Sequence, residues 1–251
     1  MHPLPKLLAL AALLAASAAR ADPGYYVVTA YDNEGLRAVD LRYWSVKREG
    51  RPERIWPEVG FSYGVTSRWT TGLLYSLIGP SNWDVEPSSL NWQNDVLLTQ
   101  GEWPFDLALH TNLIRQIGDV GGGSRYALEY GPVLQTDVGR TQINTNLFFE
   151  RSLDGGEDAK PIQLKYQWQV RYRWKPLMDF GLQGFGELGR WDRWADGGQQ
   201  SHRAGPALFG HLDLGKGSDS RNALLYQAAY LLGTVYAKRG SMFTLRVQYT
   251  F

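Results

Sequence analysis

The stretch from Ile162 to Arg173, IQLKYQWQVRYR, alternates without a break. Ile162, Leu164, Tyr166, Trp168, Val170 and Tyr172 hold the even positions; Gln163, Lys165, Gln167, Gln169, Arg171 and Arg173 hold the odd ones. Successive side chains of a β-strand point to opposite faces, so this period of two describes a strand with one apolar and one polar face. In a soluble sandwich the apolar face would meet a second sheet. Here the polar face carries long hydrogen-bonding side chains, the composition of a wall that lines a wet interior.

The pattern recurs along the chain. Val59, Phe61, Tyr63 and Val65 alternate with Glu58, Gly60, Ser62 and Gly64, and Ile143, Thr145, Leu147 and Phe149 oppose Gln142, Asn144, Asn146 and Glu150. Twelve such segments follow one another from Val39 to the final stretch, Met242 to Phe251. Short connections near 66–67, 100–104, 137–140, 174–178 and 215–222 alternate with longer polar or glycine-rich ones at 47–57, 79–88, 115–125, 152–161, 189–203 and 234–241. Every unit therefore reads as a hairpin, with all the long loops at one end. Segments of about ten residues match the 9–11 that cross a bilayer at a tilt. The expected fold is all-β: a transmembrane, antiparallel, up-and-down β-barrel of about 12 strands.

The last strand puts Phe243, Leu245, Val247, Tyr249 and Phe251 on one face. This terminal pattern, joined to the alternating segments, resembles that of bacterial outer-membrane β-barrels, in particular small channel-type barrels. The resemblance implies that Phe251, Tyr249 and Val247 form the signature read by the barrel-assembly machinery, and that outer-membrane lipid surrounds the wall. Trp69, Trp103 and Trp174 sit at or beside short connections, where an interfacial girdle places amphipathic rings.

The N-terminus agrees with export. A short front with Lys6, an apolar run from Leu7 to about Ala19 and Ala19-Arg20-Ala21 before Asp22 make a secretory signal peptide over 1–21. The run is too short for a spanning helix, which needs roughly 20 apolar residues. Residues 22–35, DPGYYVVTAYDNEG, precede the barrel (36–251) and read as a periplasmic tail, a plug or an extra strand inside. The expected location is the outer membrane of a Gram-negative cell, reached through the periplasm. No cysteine is present, so stability comes from burial and backbone pairing rather than disulfides. With 26 Lys and Arg against 25 Asp and Glu and no basic cluster, nothing points to nucleic acid.

The hairpin joined at 174–178 can be set in register. Placing Arg173 opposite Asp179 also places Lys165 opposite Glu187, which gives two ion pairs on the inner face. Trp168 and Tyr166 then cover Gly184 and Gly186 on the outer one. Arg171 faces Gly181 and, on its other side, Gln142, which leaves it as an unpaired charge in the lumen. Arg171, Lys165, Arg173, Asp179, Glu187, His110, Asp106 and Gln142 are the candidate lumen-lining residues.

Hydrolases occur in the class the chain resembles, and three histidines after residue 21 offer catalytic groupings. His110 shares a strand face with Asp106, but no serine lies nearby in sequence; a polar wall gives the same pattern. His202 follows Ser201, an adjacency that does not supply triad geometry, and His211 beside Asp213 also reads as wall. No His-Glu-x-x-His or Gly-x-Ser-x-Gly motif occurs. GDVGGG at 118–123 and Glu157-Asp158 read as external loops. No catalytic residue, cofactor or metal site is expected. The reading is a narrow passive channel for small polar or ionic solutes. A closed-lumen accessory or anchoring barrel is the alternative, and a membrane-embedded hydrolase comes third. N-terminal sequencing of protein recovered from outer-membrane fractions should begin at Asp22; recovery as a soluble periplasmic protein would overturn the scheme.

Overall fold

The computed structural model describes residues 25–29, 31, 33–80, 84–117, 125–154, 161–215 and 221–251. Twelve strands run in order: β1 (Arg37–Arg48), β2 (Arg54–Thr66), β3 (Trp69–Pro80), β4 (Glu86–Leu97), β5 (Asp106–Gln116) and β6 (Tyr126–Val138), then β7 (Thr141–Ser152), β8 (Gln163–Lys175), β9 (Met178–Arg190), β10 (Ser201–Asp213), β11 (Ala223–Val235) and β12 (Lys238–Thr250). Each strand pairs antiparallel with the next. β1 pairs with β12 from Ala38↔Thr250 to Arg48↔Gly240, which closes the barrel. The expected twelve-stranded up-and-down barrel is what the chain forms.

The alternation of sequence becomes an alternation of environment. On β7, Gln142, Asn144 and Asn146 are fully buried, while Ile143 and Leu147, at alternate positions, are exposed on the outside. Leu41, Val59, Leu73, Trp92 and Leu182 are likewise among the exposed outer residues of their strands. A soluble protein does not present an apolar surface all round while it buries its amides. This inversion suits a wall whose outside meets hydrocarbon. Trp69, Trp103 and Trp174 lie at the end of the barrel where β2 turns into β3, exposed at the depth expected of interfacial rings.

The strict alternation of loop lengths does not hold: the β4–β5 connection, 98–105, is longer than those at 49–53 and 81–85, and two further connections depart more sharply. The stretch 234–241, expected to be long, is a tight turn: β11 ends at Val235, β12 starts at Lys238, and Tyr236 and Ala237 alone join them. Both have positive φ, 48° and 64°, the conformation of a type I′ hairpin turn normally filled by Asn or Gly. Without either residue the sequence gives no turn signal, and the flanking polar residues read as loop. Conversely, the β10–β11 connection, expected to be short, spans 214–222, as long as several connections at the other end. The stretches 118–123 and 157–158, like the expected signal peptide, lie outside the described residues.

The register set for β8 and β9 matches the structure from Lys165↔Glu187 to Tyr172↔Phe180. It breaks at both ends, between Leu164 and Lys165 and between Tyr172 and Lys175. Trp168 and Tyr166 lie over Gly184 and Gly186, where a Cβ would collide with their rings.

Residues 25–29 run inside the barrel. Tyr25, Tyr26, Val27 and Val28 are buried, and two apolar clusters form on them. Tyr25 and Val27 join Trp44, Phe185, Phe209, Leu231 and Met242 from the inner faces of β1 and β9–β12. Tyr26 and Val28 join Leu97, Ala108, Val133 and Phe148 from β4–β7. The segment thus holds apolar patches of opposite walls together.

Substitutions on the two faces should separate them. Leu182→Arg, at the middle of the outer face of β9, should destabilise the folded barrel in lipid vesicles by about 2–4 kcal/mol. Ser62→Arg, on the inner face of β2, should cost much less, because its guanidinium reaches the cavity described below. Urea unfolding of both variants in vesicles checks the difference, and equal penalties would contradict the assignment of faces.

Candidate functional site

The inner wall carries charge in two knots, each built on a like-charge pair that the strand register makes unavoidable. Arg42 of β1 faces Arg246 of β12, and Glu129 of β6 faces Glu150 of β7. Like charges directly opposite destabilise a sheet. Both pairs are resolved by a third residue. Asp40 accepts from Arg42 Nη2 at 2.8 Å and from Arg246 Nη2 at 2.6 Å. Lys165 binds Glu129 at 3.2 Å and also pairs with Glu150. Buried charge of this kind is tolerable only when each member keeps its counter-ion.

These geometries correct the pairings expected from one hairpin. Lys165 does face Glu187, but its ammonium reaches across β7 to Glu129 and Glu150. Glu187 instead takes Arg203 of β10 at 2.7 Å and the Tyr25 hydroxyl. Arg173 does not pair with Asp179. The irregularity at the end of β8 turns it towards Asp137 at 2.8 Å, where both side chains are substantially exposed. Arg171, expected to be unpaired, takes the vacated partner: its Nη2 lies 2.7 Å and its Nε 2.8 Å from Asp179 Oδ2. Gln142 faces Arg171 as expected and accepts a hydrogen bond from the Tyr31 hydroxyl at 3.0 Å.

His110 does not pair with Asp106. Four residues along one strand separate Cα atoms by about 13 Å, whereas Asp95 of β4 stands directly opposite His110, and their side chains meet at 2.6 Å. Asp106 accepts from the Gly101 amide at 2.7 Å in the β4–β5 connection. Ser201 and His202 point to opposite faces of β10: Ser201 is fully buried and accepts from the Tyr236 amide, while exposed His202 meets the Tyr166 hydroxyl at 2.8 Å. Neither histidine is set against a serine nucleophile in these contacts. Among the described residues there is no group of His, Cys, Asp or Glu able to hold a metal ion.

The N-terminal segment is wired into this wall. Arg42 lies over the Tyr26 ring at 3.6 Å, and Arg203 over the Tyr25 ring at 4.5 Å. The Val28 carbonyl accepts from Asn146 at 2.9 Å, and Asn33 donates to Thr70 at 3.2 Å. At the β11–β12 turn, burial and the adjacent Glu187 carboxylate push the Tyr236 hydroxyl above its ordinary pKa, so it stays neutral. Beside the segment lies a cavity of about 270 Å³, lined by Tyr26, Tyr31, Asp40, Gln93, Gln169 and Arg171 among others. A plug was one of three readings the sequence left open for 22–35, but nothing beyond the apolar YYVV at 25–28 singled out Tyr25 and Tyr26 or their partners. Phe251 ends the wall, with its backbone paired to Arg37 and its ring stacked on Tyr249 at 5.6 Å; Val247 faces Leu41.

No protein-family model and no curated protein matches the sequence. Solved structures do. An outer membrane channel from Pseudomonas putida F1 is 13% identical, with a TM-score of 0.58 over 92% of this chain and 100% of that one. The CymD monoaromatic hydrocarbon channel is 7% identical over 87% of this chain and 88% of that one, with a TM-score of 0.45. The Salmonella typhi outer membrane phospholipase, a dimer with bound calcium, is 10% identical over 91% and 94%, with a TM-score of 0.46. At these identities the likeness to the Pseudomonas channel is one of fold.

The knot around Lys165 has a direct test. Lys165→Met removes the ammonium shared by Glu129 and Glu150, leaving only the more distant His110 Nε2, 3.9 Å from Glu129, and should cost about 3–5 kcal/mol of stability. Adding Glu150→Gln should recover part of the loss. Unfolding in vesicles measures both, and a neutral Lys165→Met would mean that the three groups are not coupled.

Proposed function

We propose that the chain is an outer-membrane channel of narrow bore that passes small polar or ionic solutes by diffusion. In this reading residues 25–29 stand in its lumen as a removable stopper. One observation carries it: the interior is filled by a separate peptide segment rather than by the wall's own side chains. Eight strands leave an interior that side chains just fill, and wider barrels leave room for more. Here that room holds the segment, the 270 Å³ cavity and paired charges. A barrel that serves only as an anchor has no need of such a lumen.

Several further roles follow from the same reading. Export removes residues 1–21, the assembly machinery recognises the last strand through Phe251, Tyr249 and Val247, and lipid surrounds the outer face. Lys165, Glu187, Asp179 and Gln142 hold the wall in shape, and Arg171 with its Asp179 partner borders the path. His110 with Asp95 belongs to the wall, while Arg173 and Asp106 sit towards its rim. The chain acts as a conduit rather than as a hydrolase, in keeping with the surroundings of His110 and His202.

Planar-bilayer recording tests the proposal. The mature chain should conduct in small steps, and a chain lacking residues 22–33 should show a larger single-channel conductance. If neither conducts, the closed-lumen accessory barrel is the correct reading.

A further inference from the structure

We propose that the inner wall around Tyr25 is a binding site for a small phenol-type solute, one aromatic ring bearing a hydroxyl. In this view Tyr25 occupies the site as a tethered stand-in. The inference rests on the channel reading, because the segment must leave the lumen before a solute can enter.

The argument starts from what surrounds the ring. Trp44 of β1 and Phe185 of β9 present edge contacts to Tyr25, with centroids at 6.2 and 5.6 Å and planes at 87° and 74°. These are favourable aromatic geometries. The Arg203 guanidinium covers the ring at 4.5 Å, a cation–π contact strengthened by burial. The hydroxyl meets two groups of opposite character: it donates to the Glu187 carboxylate and accepts from Arg203 Nη2 at 3.0 Å. Arg203 and Glu187 are themselves paired at 2.7 Å, so the hydroxyl inserts into a fixed donor–acceptor pair. Phenol chemistry, a flat ring with one hydroxyl, reproduces each of these contacts.

Two features set the site apart from ordinary wall packing. The facing wall of β4–β7 carries a smaller apolar patch, Leu97, Ala108, Val133 and Phe148, and beside it buried amides, of which Asn146 and Gln167 bond the Val28 backbone. The wall at Tyr25 joins a larger patch, Trp44, Phe185, Phe209, Leu231 and Met242, to the Arg203–Glu187 pair. Exposed to water, that patch would be costly, so it calls for an apolar occupant. Moreover, the Arg203 side chain is fully buried, and its Nε and Nη1 have no acceptor. The wall therefore offers hydrogen-bonding capacity beyond what Tyr25 uses.

The test uses p-cresol, the free form of the tyrosine side chain, titrated calorimetrically into the full-length mature barrel in detergent. Tyr25→Ala should bind it saturably at one site. Wild type should bind at least about ten-fold more weakly, because its own tyrosine competes. Toluene, which lacks the hydroxyl, should bind Tyr25→Ala about ten-fold more weakly than p-cresol, the loss expected for charge-assisted hydrogen bonds. Should Tyr25→Ala fail to fold, Tyr25→Phe keeps the ring without its hydroxyl and should bind p-cresol more tightly than wild type does. Absence of saturable binding, equal affinity for toluene, or equal affinity of variant and wild type would overturn the proposal. Conductance recorded on the same preparations separates the two readings. A conducting barrel that ignores p-cresol removes the site alone, and a barrel that binds it without conducting removes the channel reading alone.

Discussion

No backbone amide or carbonyl can face hydrocarbon without a partner, and this requirement organises the molecule. A sheet with an open edge fails it, so the chain must return to its own first strand, as the pairing of β1 with β12 does. Closure then creates an inside. Twelve strands make that inside too wide for wall side chains to fill, and the remaining interior has to be settled by charge, water or a further piece of chain. The two charge knots, the cavity and the buried residues 25–29 are three answers to one geometric problem.

The knots show how strand register passes its demands inward. Pairing every backbone group fixes which residues stand side by side, and it places Arg42 against Arg246 and Glu129 against Glu150. The sheet cannot slide to relieve either conflict, because a slip of one residue would turn apolar faces into the lumen. Relief comes from Asp40, two residues along the same strand as Arg42, and from Lys165, one strand beyond Glu150. Electrostatics here is subordinate to hydrogen bonding in the wall.

The wall was the legible part of the sequence, because each strand announces its faces through nearest neighbours along the chain. Even the β8–β9 register could be set: the ion pairs used to set it did not form, but the placing of Trp168 and Tyr166 over glycines that followed from it did. What lay further apart was hidden. Lys165 reaches Glu129 across a whole strand, and no pattern within one hairpin reveals that. Arg171 took the Asp179 expected for Arg173, and Arg173 turned to Asp137, because of an irregularity of backbone rather than of composition. Tyr236 and Ala237 disguised a tight turn by adopting left-handed backbone without the residues that usually signal it. A plug at 22–35 was among the readings open, but the partners of Tyr25 were least visible of all, since Glu187 and Arg203 lie more than half the chain away.

The position of residues 25–29 has a consequence for the order of assembly. A segment enclosed by twelve strands must either be threaded through a finished ring or be present while the ring forms. Its apolar contacts join β1 and β9–β12 on one side with β4–β7 on the other. It can therefore act as a mandrel on which early and late hairpins gather before the seam shuts. The seam unites strands at opposite ends of the sequence and carries the largest loop-closure entropy of any pairing in the barrel. A peptide that draws both ends towards a common axis shortens that search, so the same residues that obstruct the finished lumen would also hasten its making.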